Sequence, residues 1–228
     1  MIITIDGPAG AGKSTVSKRL AERLGYDYLD TGAIYRAIAY RADQEGLTDA
    51  TDDQLRDLCA RTIIDSKTSE RKIKTFANGV DITDAIRTPE ISMLASRMSA
   101  LPAIRAGLLI LQRRMAQQGG IVAEGRDMGT VVFPQADVKF FLDAEVDERV
   151  RRRFAELVQM GLGNSWDAVR EDMLKRDRQD REREIAPLRP APDAICIDST
   201  QLDVEGVIKL MMQHIRDRSF YDGSGGAR

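Results

Sequence analysis

Apolar positions along the chain alternate between two rhythms, one with a period near two and one with a period near four. A β-branched run, Ile2-Ile3-Thr4-Ile5, is followed by Val16, Leu20 and Leu24 at helical spacing, with Gly25 placed to end the helix. The alternation repeats: Tyr26 to Leu29 predicts a short strand, and Ile34 and Ile38 mark a helix that Gly46 closes. Thr51 caps a further helix with Leu55 and Leu58, and Thr88-Pro89 starts one that carries Ile91, Leu94, Ala95 and Met98. Pro102 starts the next, with Ile104, Leu108, Leu111 and Met115 inward, until Gly119-Gly120 stops it. Ile121 to Ala123 and Val138 to Leu142 are continuous apolar runs, the pattern of strands buried on both faces of a parallel sheet. Ala194 to Ile197 is a last strand candidate, and a final helix from Asp203 places Val207, Ile208, Met211 and Ile215 on one side. Strands that alternate with helices predict an α/β fold with five parallel strands and crossover helices.

Two segments break this rhythm. Between Ile63 and Ile86 the texture is that of a small β insert: Ile73, Thr75 and Phe76 lead into Asn78-Gly79, and Val80 and Ile82 follow, the signature of a hairpin with a primed turn. From Arg149 the chain forms a helical hairpin. Val150, Phe154 and Leu157 pack beneath Arg149, Arg151, Arg152 and Arg153, Gly161-Leu162-Gly163-Asn164 makes a break, and Ser165 caps a second helix with Trp166, Val169 and Met173. Pro187, Pro190 and Pro192 end it, and the tail from Tyr221 to Arg228 reads as disordered.

The chain has 228 residues, 43% of them hydrophobic and 31% charged, with a net charge of -2, which suits one domain with small insertions and argues against disorder and bulk nucleic-acid binding. Cys59 and Cys196 lie far apart in apolar stretches, so buried free thiols are expected rather than a disulfide or zinc framework. No apolar run reaches membrane-spanning length and no leader pattern precedes the first strand, so a cytoplasmic protein is expected. The single histidine, His214, falls late in a helical stretch and gives histidine catalysis little support.

Chemistry concentrates first between the opening strand and helix. Gly7-Pro8-Ala9-Gly10-Ala11-Gly12-Lys13-Ser14 is a full match to the phosphate-loop pattern, in the strand–loop–helix setting it requires. Glycines there let backbone N–H groups approach phosphate oxygens, and the helix turns its positive end to the same anion. Lys13 would reach the outer phosphates and Ser14 would ligate Mg²⁺. A plain glycine turn is the alternative, and eight matched positions in the right flanks weigh against it.

Further charged residues fall at the ends of predicted strands, where open α/β sheets bind ligands. Asp30-Thr31-Gly32 follows the second strand, and Arg36 reads either as an exposed helix arginine or as a phosphate ligand. Glu124-Gly125-Arg126-Asp127 follows a buried strand and points to a site. Glu124 could position a metal-bound water or serve as a structural carboxylate. Ser96 and Arg105, taken alone, read as solvent-facing. Arg176, Asp180 and Arg183 share one helix face, as a salt-bridged solvated surface on spacing alone or as a cationic clamp oriented by a carboxylate.

Asp30 to Arg36, Ala123 to Pro134 and the stretch from Arg176 to Leu188 together resemble the bacterial cytidylate kinases, in order and at family-like separations from Ile2 to about Ile215. The resemblance implies a P-loop nucleoside-monophosphate-kinase fold of the α/β class: a five-stranded parallel sheet flanked by helices, with a monophosphate-binding insert and a short helical lid. One kinase domain over 1–220 is implied, with a core of 1–30, 87–148 and 184–220. The monophosphate-binding region covers about 31–101, its β insert about 63–86, and the lid about 149–183.

By the same resemblance, Gly7, Pro8, Ala9, Gly10, Ala11, Gly12, Lys13, Ser14 and Thr15 bind ATP, with Arg149 and Arg153 from the lid. Thr31, Arg36, Ser96, Arg105, Arg126, Asp127, Arg176, Asp180 and Arg183 take CMP: Ser96, Arg105 and Asp127 near the base, Arg36, Arg126 and Arg183 on the phosphate, Asp180 with Arg176 by the ribose. Serine also occurs in the family where this chain has Thr31, and the hydroxyl is retained. Lys13, Arg126 and Arg183 are the implied catalytic residues, and Mg²⁺ at Ser14 the implied cofactor. The reaction implied is phosphorylation of CMP and dCMP by ATP in pyrimidine nucleotide metabolism, by a monomer with neither nucleic-acid nor membrane partners. A nucleotide switch would have little use for a second, arginine-lined acceptor site. A kinase for another acceptor, such as UMP or shikimate, would differ at Arg105 and Asp127.

Overall fold

In the computed structural model, which describes residues 1–69, 72–162 and 165–223, a five-stranded sheet runs through the centre of the chain. Its strands are β1 (Ile2–Asp6), β2 (Asp27–Asp30), β6 (Ile121–Gly125), β7 (Val138–Asp143) and β8 (Ile195–Asp198), in the order β2-β6-β1-β7-β8. Every pairing is parallel: Ile2 faces Ile121 across β1 and β6, and Ile3 faces Val138 across β1 and β7. The inner strands are buried on both faces, which is why they read as unbroken apolar runs.

The remaining elements are α1 (Lys13–Leu24), α2 (Thr31–Gln44), α3 (Asp52–Arg61), β3 (Ile64–Ser69), β4 (Lys72–Ala77), β5 (Val80–Asp81), α4 (Pro89–Met98), α5 (Pro102–Met115), α6 (Val146–Gln159), α7 (Trp166–Glu182) and α8 (Val204–Gly223). One sheet face packs on α1 and α8, where Ile3 and Ile5 meet Val16, Leu20, Ile208 and Met211. The other face packs on α2 to α5 through Leu29, Ala123, Ile34, Leu108 and their neighbours. A third, small core of Val150, Leu157, Val169 and Met173 joins α6 to α7. Thr51 and Gln54 form a reciprocal capping box on α3, and Thr88 Oγ1 accepts from the Ile91 N–H at 3.3 Å to start α4.

The β insert is a three-stranded antiparallel sheet, β3-β4-β5. Asn78 and Gly79, at φ 49° and 81°, make the primed turn between β4 and β5, and Asn78 Oδ1 accepts from the Ile63 N–H at 2.7 Å. Four expectations need correction. Met115 is exposed rather than inward, because it lies in the last turn of α5, beyond the packed stripe. Cys196 is exposed and Cys59 only half-buried; β8 is an edge strand, and alternate side chains of an edge strand meet solvent. α8 continues through Gly223 where disorder was expected from Tyr221, and residues 224–228 lie outside the described residues, as do Gly163 and Asn164 of the expected break. A π turn over Met128–Val132, after β6, has no counterpart in the sequence reading.

Candidate nucleotide-binding site

β1 ends at the Asp6–Gly7 junction, and the loop from Gly7 to Gly12 crosses the carboxyl edge of the sheet. Gly7 sits at φ 149° with its Cα against the Leu142 carbonyl of β7, into which any Cβ would collide, so only glycine fits. Gly12, at φ 90°, opens α1 with no side-chain cap and no acidic residue in the first turn, which leaves the first N–H groups for an anion. Lys13 Nζ donates to the Pro8 carbonyl at 2.7 Å. Burial, and then the nearby Arg126 charge, push the Lys13 ammonium down to about 7. Ser14 is exposed, within hydrogen-bonding reach of Tyr28 and Glu124.

Across the same cavity stands a second set of cations. Lys13 and Ser14 line it together with Arg36, Arg126, Arg176 and Arg183. Arg126 Nε donates to Asp180 Oδ2 at 2.8 Å, and Ser96 Oγ donates to Asp180 Oδ1 at 3.1 Å. Burial raises the Asp180 carboxyl, but Arg126 and Arg176 outweigh it and hold the group below the ordinary carboxylate range. Asp127 pairs with Arg105 on one oxygen and with Arg183 Nη2 at 3.4 Å on the other, all three side chains being nearly closed to solvent. Arg183 is tied further to the Ala186 carbonyl at 2.6 Å and to Ser99 Oγ at 3.1 Å. The face shared by Arg176, Asp180 and Arg183 is therefore turned inward, and so are Ser96 and Arg105; their solvent-facing readings are overturned. Nε of Arg36 and Nε of Arg176 are buried without a protein partner, and burial with the neighbouring Arg126 lowers Arg176 to about 10. Unpartnered guanidinium Nε donors that share a cavity with an uncapped helix start suit the binding of anions.

Arg149 departs from its expected place. It is buried behind the loop, donating to Asp177 Oδ2 at 2.6 Å, the Ala9 carbonyl at 3.0 Å and the Ala144 carbonyl at 3.0 Å, and it lines neither cavity beside the loop. Arg152, grouped with the lid arginines from sequence but not assigned to ATP, faces a second cavity between Gly10–Val16, α6 and the start of α8, where it donates to the Ser199 carbonyl at 2.7 Å. Arg153 borders both cavities. Arg105 stands behind Asp127, outside the lining. Sequence reasoning also missed Lys18 and Arg87, which line the same cavity as Arg36 and Arg126. Lys18 stands one turn beyond Ser14 on α1, a placement open to a helical reading, whereas Arg87 ends the 3-10 turn Ala85–Arg87 between the β insert and α4 and carries no local signal.

Hard oxygen donors gather beside Ser14. Tyr28 donates its hydroxyl to Glu124, and burial followed by the Asp30 charge raises the Glu124 carboxyl. Ser14, Asp30 and Glu124 suit a magnesium ion that keeps waters and takes phosphate oxygens. Among the described residues no group of three His, Cys, Asp or Glu could hold an ion alone. Asp30 also accepts from the Ala33 N–H at 2.7 Å and pairs with Arg36 at 3.3 Å, and Thr31 Oγ1 donates to the Glu124 carbonyl at 2.7 Å.

Residues 3–217 match the protein-family model described as cytidylate kinase. A cytidylate kinase from Geobacter sulfurreducens is 51% identical over 218 residues, 96% of this chain and 94% of that one. One from Geobacillus kaustophilus is 46% identical over 216 residues, covering 95% and 96%. Among solved structures, an uncharacterized protein from Eubacterium ventriosum superposes with a TM-score of 0.50 over 95% of this chain and 98% of its own, at 15% identity, a likeness of fold alone.

Proposed function

The chain belongs to the cytidylate kinase family, and on that premise we propose that it transfers the γ-phosphoryl group of ATP to CMP and dCMP at the cavity between the phosphate loop and the arginines of α2, α7 and the β6 edge. The observation that carries this reading is the pairing of the phosphate loop with an arginine cluster in one cavity, where Arg36 and Arg176 have buried, unpartnered Nε donors and line the same space as Lys13.

Phosphoryl transfer through a loose transition state asks the protein to align two phosphates and to offset the charge between them. Loop N–H groups and Lys13 hold the donor, and on its arrival Lys13 exchanges the Pro8 carbonyl for phosphate oxygen. Arg36, Arg126 and Arg183 hold the acceptor phosphate, while Asp180 orients Arg126 and meets the sugar with Arg176. Ser96 stands beside them, and Asp127, fixed by Arg105 and Arg183, faces the cytosine edge. Thr31 supports this end through the Glu124 backbone. Magnesium would be held through Ser14, with Glu124 and Asp30 near its waters, and would supply charge neutralisation on the phosphates. The acceptor phosphate is ionised at neutral pH and needs no protein base. Arg153 and Arg152 close the donor side, and Arg149 stiffens the loop from behind.

The region of α2 to α4 with the β insert forms the monophosphate-binding part, and α6 with α7 the lid. Among the described residues no single helix is long and apolar enough to cross a membrane. We place the enzyme in the cytoplasm as a monomer. The test is ADP formation with ATP, magnesium and a panel of monophosphates and shikimate. CMP and dCMP should be consumed well ahead of UMP, AMP and shikimate; preference for any of the latter would overturn the assignment.

A further inference from the structure

Asp6 is the last residue of β1, adjacent to Gly7 of the phosphate loop, and its side chain is buried. Its Oδ1 accepts from the Met128 N–H and its Oδ2 from the Gly129 N–H, both at 2.8 Å. These N–H groups open the π turn that follows Asp127. Successive backbone N–H groups of this kind form a small concavity for an anion, and here the anion is a side chain of the donor loop's own root. The fit is close on both sides. Asp6 is in register with Gly125 on β6 and Phe141 on β7, and a Cβ on Gly129 would come within 3.1 Å of Thr4 Oγ1 and 3.2 Å of Lys139 Cδ.

We infer that Asp6 is a positioning residue that couples the donor loop to the reading of the acceptor base, by holding the backbone immediately beyond Asp127. This rests on the proposed role of Asp127 toward cytosine. Asp127 has no regular strand or helix of its own: β6 stops at Gly125, and the carboxylate of Asp6 is what fastens the next turn to the sheet. Movement at the loop root when ATP binds is thereby delivered to Met128 and Gly129, and through them to the Asp127 carboxylate between Arg105 and Arg183. Carboxylate chemistry is needed because both contacts are acceptors. Asparagine keeps one acceptor and turns an N–H₂ donor toward the other N–H.

Two measurements test the inference. In Asp6→Asn, kcat/KM for CMP over UMP should fall about tenfold, the scale of one mispaired base contact, and most of the change should sit in KM for CMP. A merely structural role would lower thermal stability and leave the CMP/UMP ratio of the folded fraction at the wild-type value, and that result would overturn the inference. The second measurement uses the wild type and is independent of how well the variant folds. In a two-dimensional amide spectrum, a non-hydrolysable ATP analogue should shift the Met128 and Gly129 resonances with no monophosphate present; unmoved resonances would overturn it. Wild-type protein that fails to phosphorylate CMP would defeat the functional reading instead, and the amide experiment would still report on the coupling.

Discussion

Burial and Arg126 push the Lys13 ammonium down from the ordinary lysine range to about 7, so the neutral fraction of the nucleotide-free protein grows as pH rises through mildly alkaline values. Donor phosphates reverse that balance by placing negative charge beside the amine. ATP binding at pH 8 should therefore take up protons, seen as a dependence of calorimetric binding heat on buffer ionisation enthalpy, and Lys13→Met should abolish it. Equal heats in all buffers for the wild type would contradict this. The sign for stability follows from the same shift. Between about 7 and the ordinary lysine value of 10.5, the unfolded chain holds a proton that the folded chain does not, so the stability contributed by this group rises with pH across that window. Asp127 presents the other residue-scale test. Cytosine offers an amino donor where uracil offers a carbonyl, so Asp127→Asn should reduce CMP over UMP selectivity by about 1–3 kcal/mol, measured as the ratio of kcat/KM. The buried pair with Arg105 makes a parallel loss of stability in urea titrations expected.

At the scale of elements, the lid shows what sequence pattern conveys and where it stops. Val150, Leu157, Val169 and Met173 announce a two-helix unit by spacing, and they form its core. The arginines from Arg149 to Arg153 look equivalent along the chain, yet α6 sends Arg149 beneath the phosphate loop, Arg152 toward Ser199, and leaves Arg151 outside on Glu148. Only the docking of α6 against the loop and β8 separates them. Asp177→Ala should leave the Arg149 charge buried, with its nearest other carboxylate, Asp143, at 3.8 Å, and should cost about 3–5 kcal/mol in urea unfolding. Arg149→Met combined with Asp177→Leu should recover much of that loss, which a phosphate-binding role for Arg149 would not predict. The strands were legible because parallel sheets bury both faces, and the insert because Asn78-Gly79 demands a primed turn. The π turn at Met128–Val132, the inward face of α7 and the arrival of Arg87 were not, since each depends on residues distant in the chain.

Across the whole molecule, the carboxyl edge of the sheet gathers side chains from nearly every part of the chain. The phosphate loop follows the first strand, the turn that carries Asp127 follows the third in sequence of the main sheet, and Asp180 and Arg183 lie at the end of the helix before the last strand. The position of β1 in mid-sheet also has a consequence in time. Its partners begin at Ile121 and Val138, and the carbonyl against which Gly7 packs belongs to Leu142. During synthesis at about 5–20 residues per second, the phosphate loop emerges first and then waits roughly 7–30 s for the strands that give it shape. A nucleotide stabilises only chains that already present its site. ATP is thus a ligand only for chains in which β6 and β7 have already joined β1, and the earlier nascent chain must fold its helices and insert without that help.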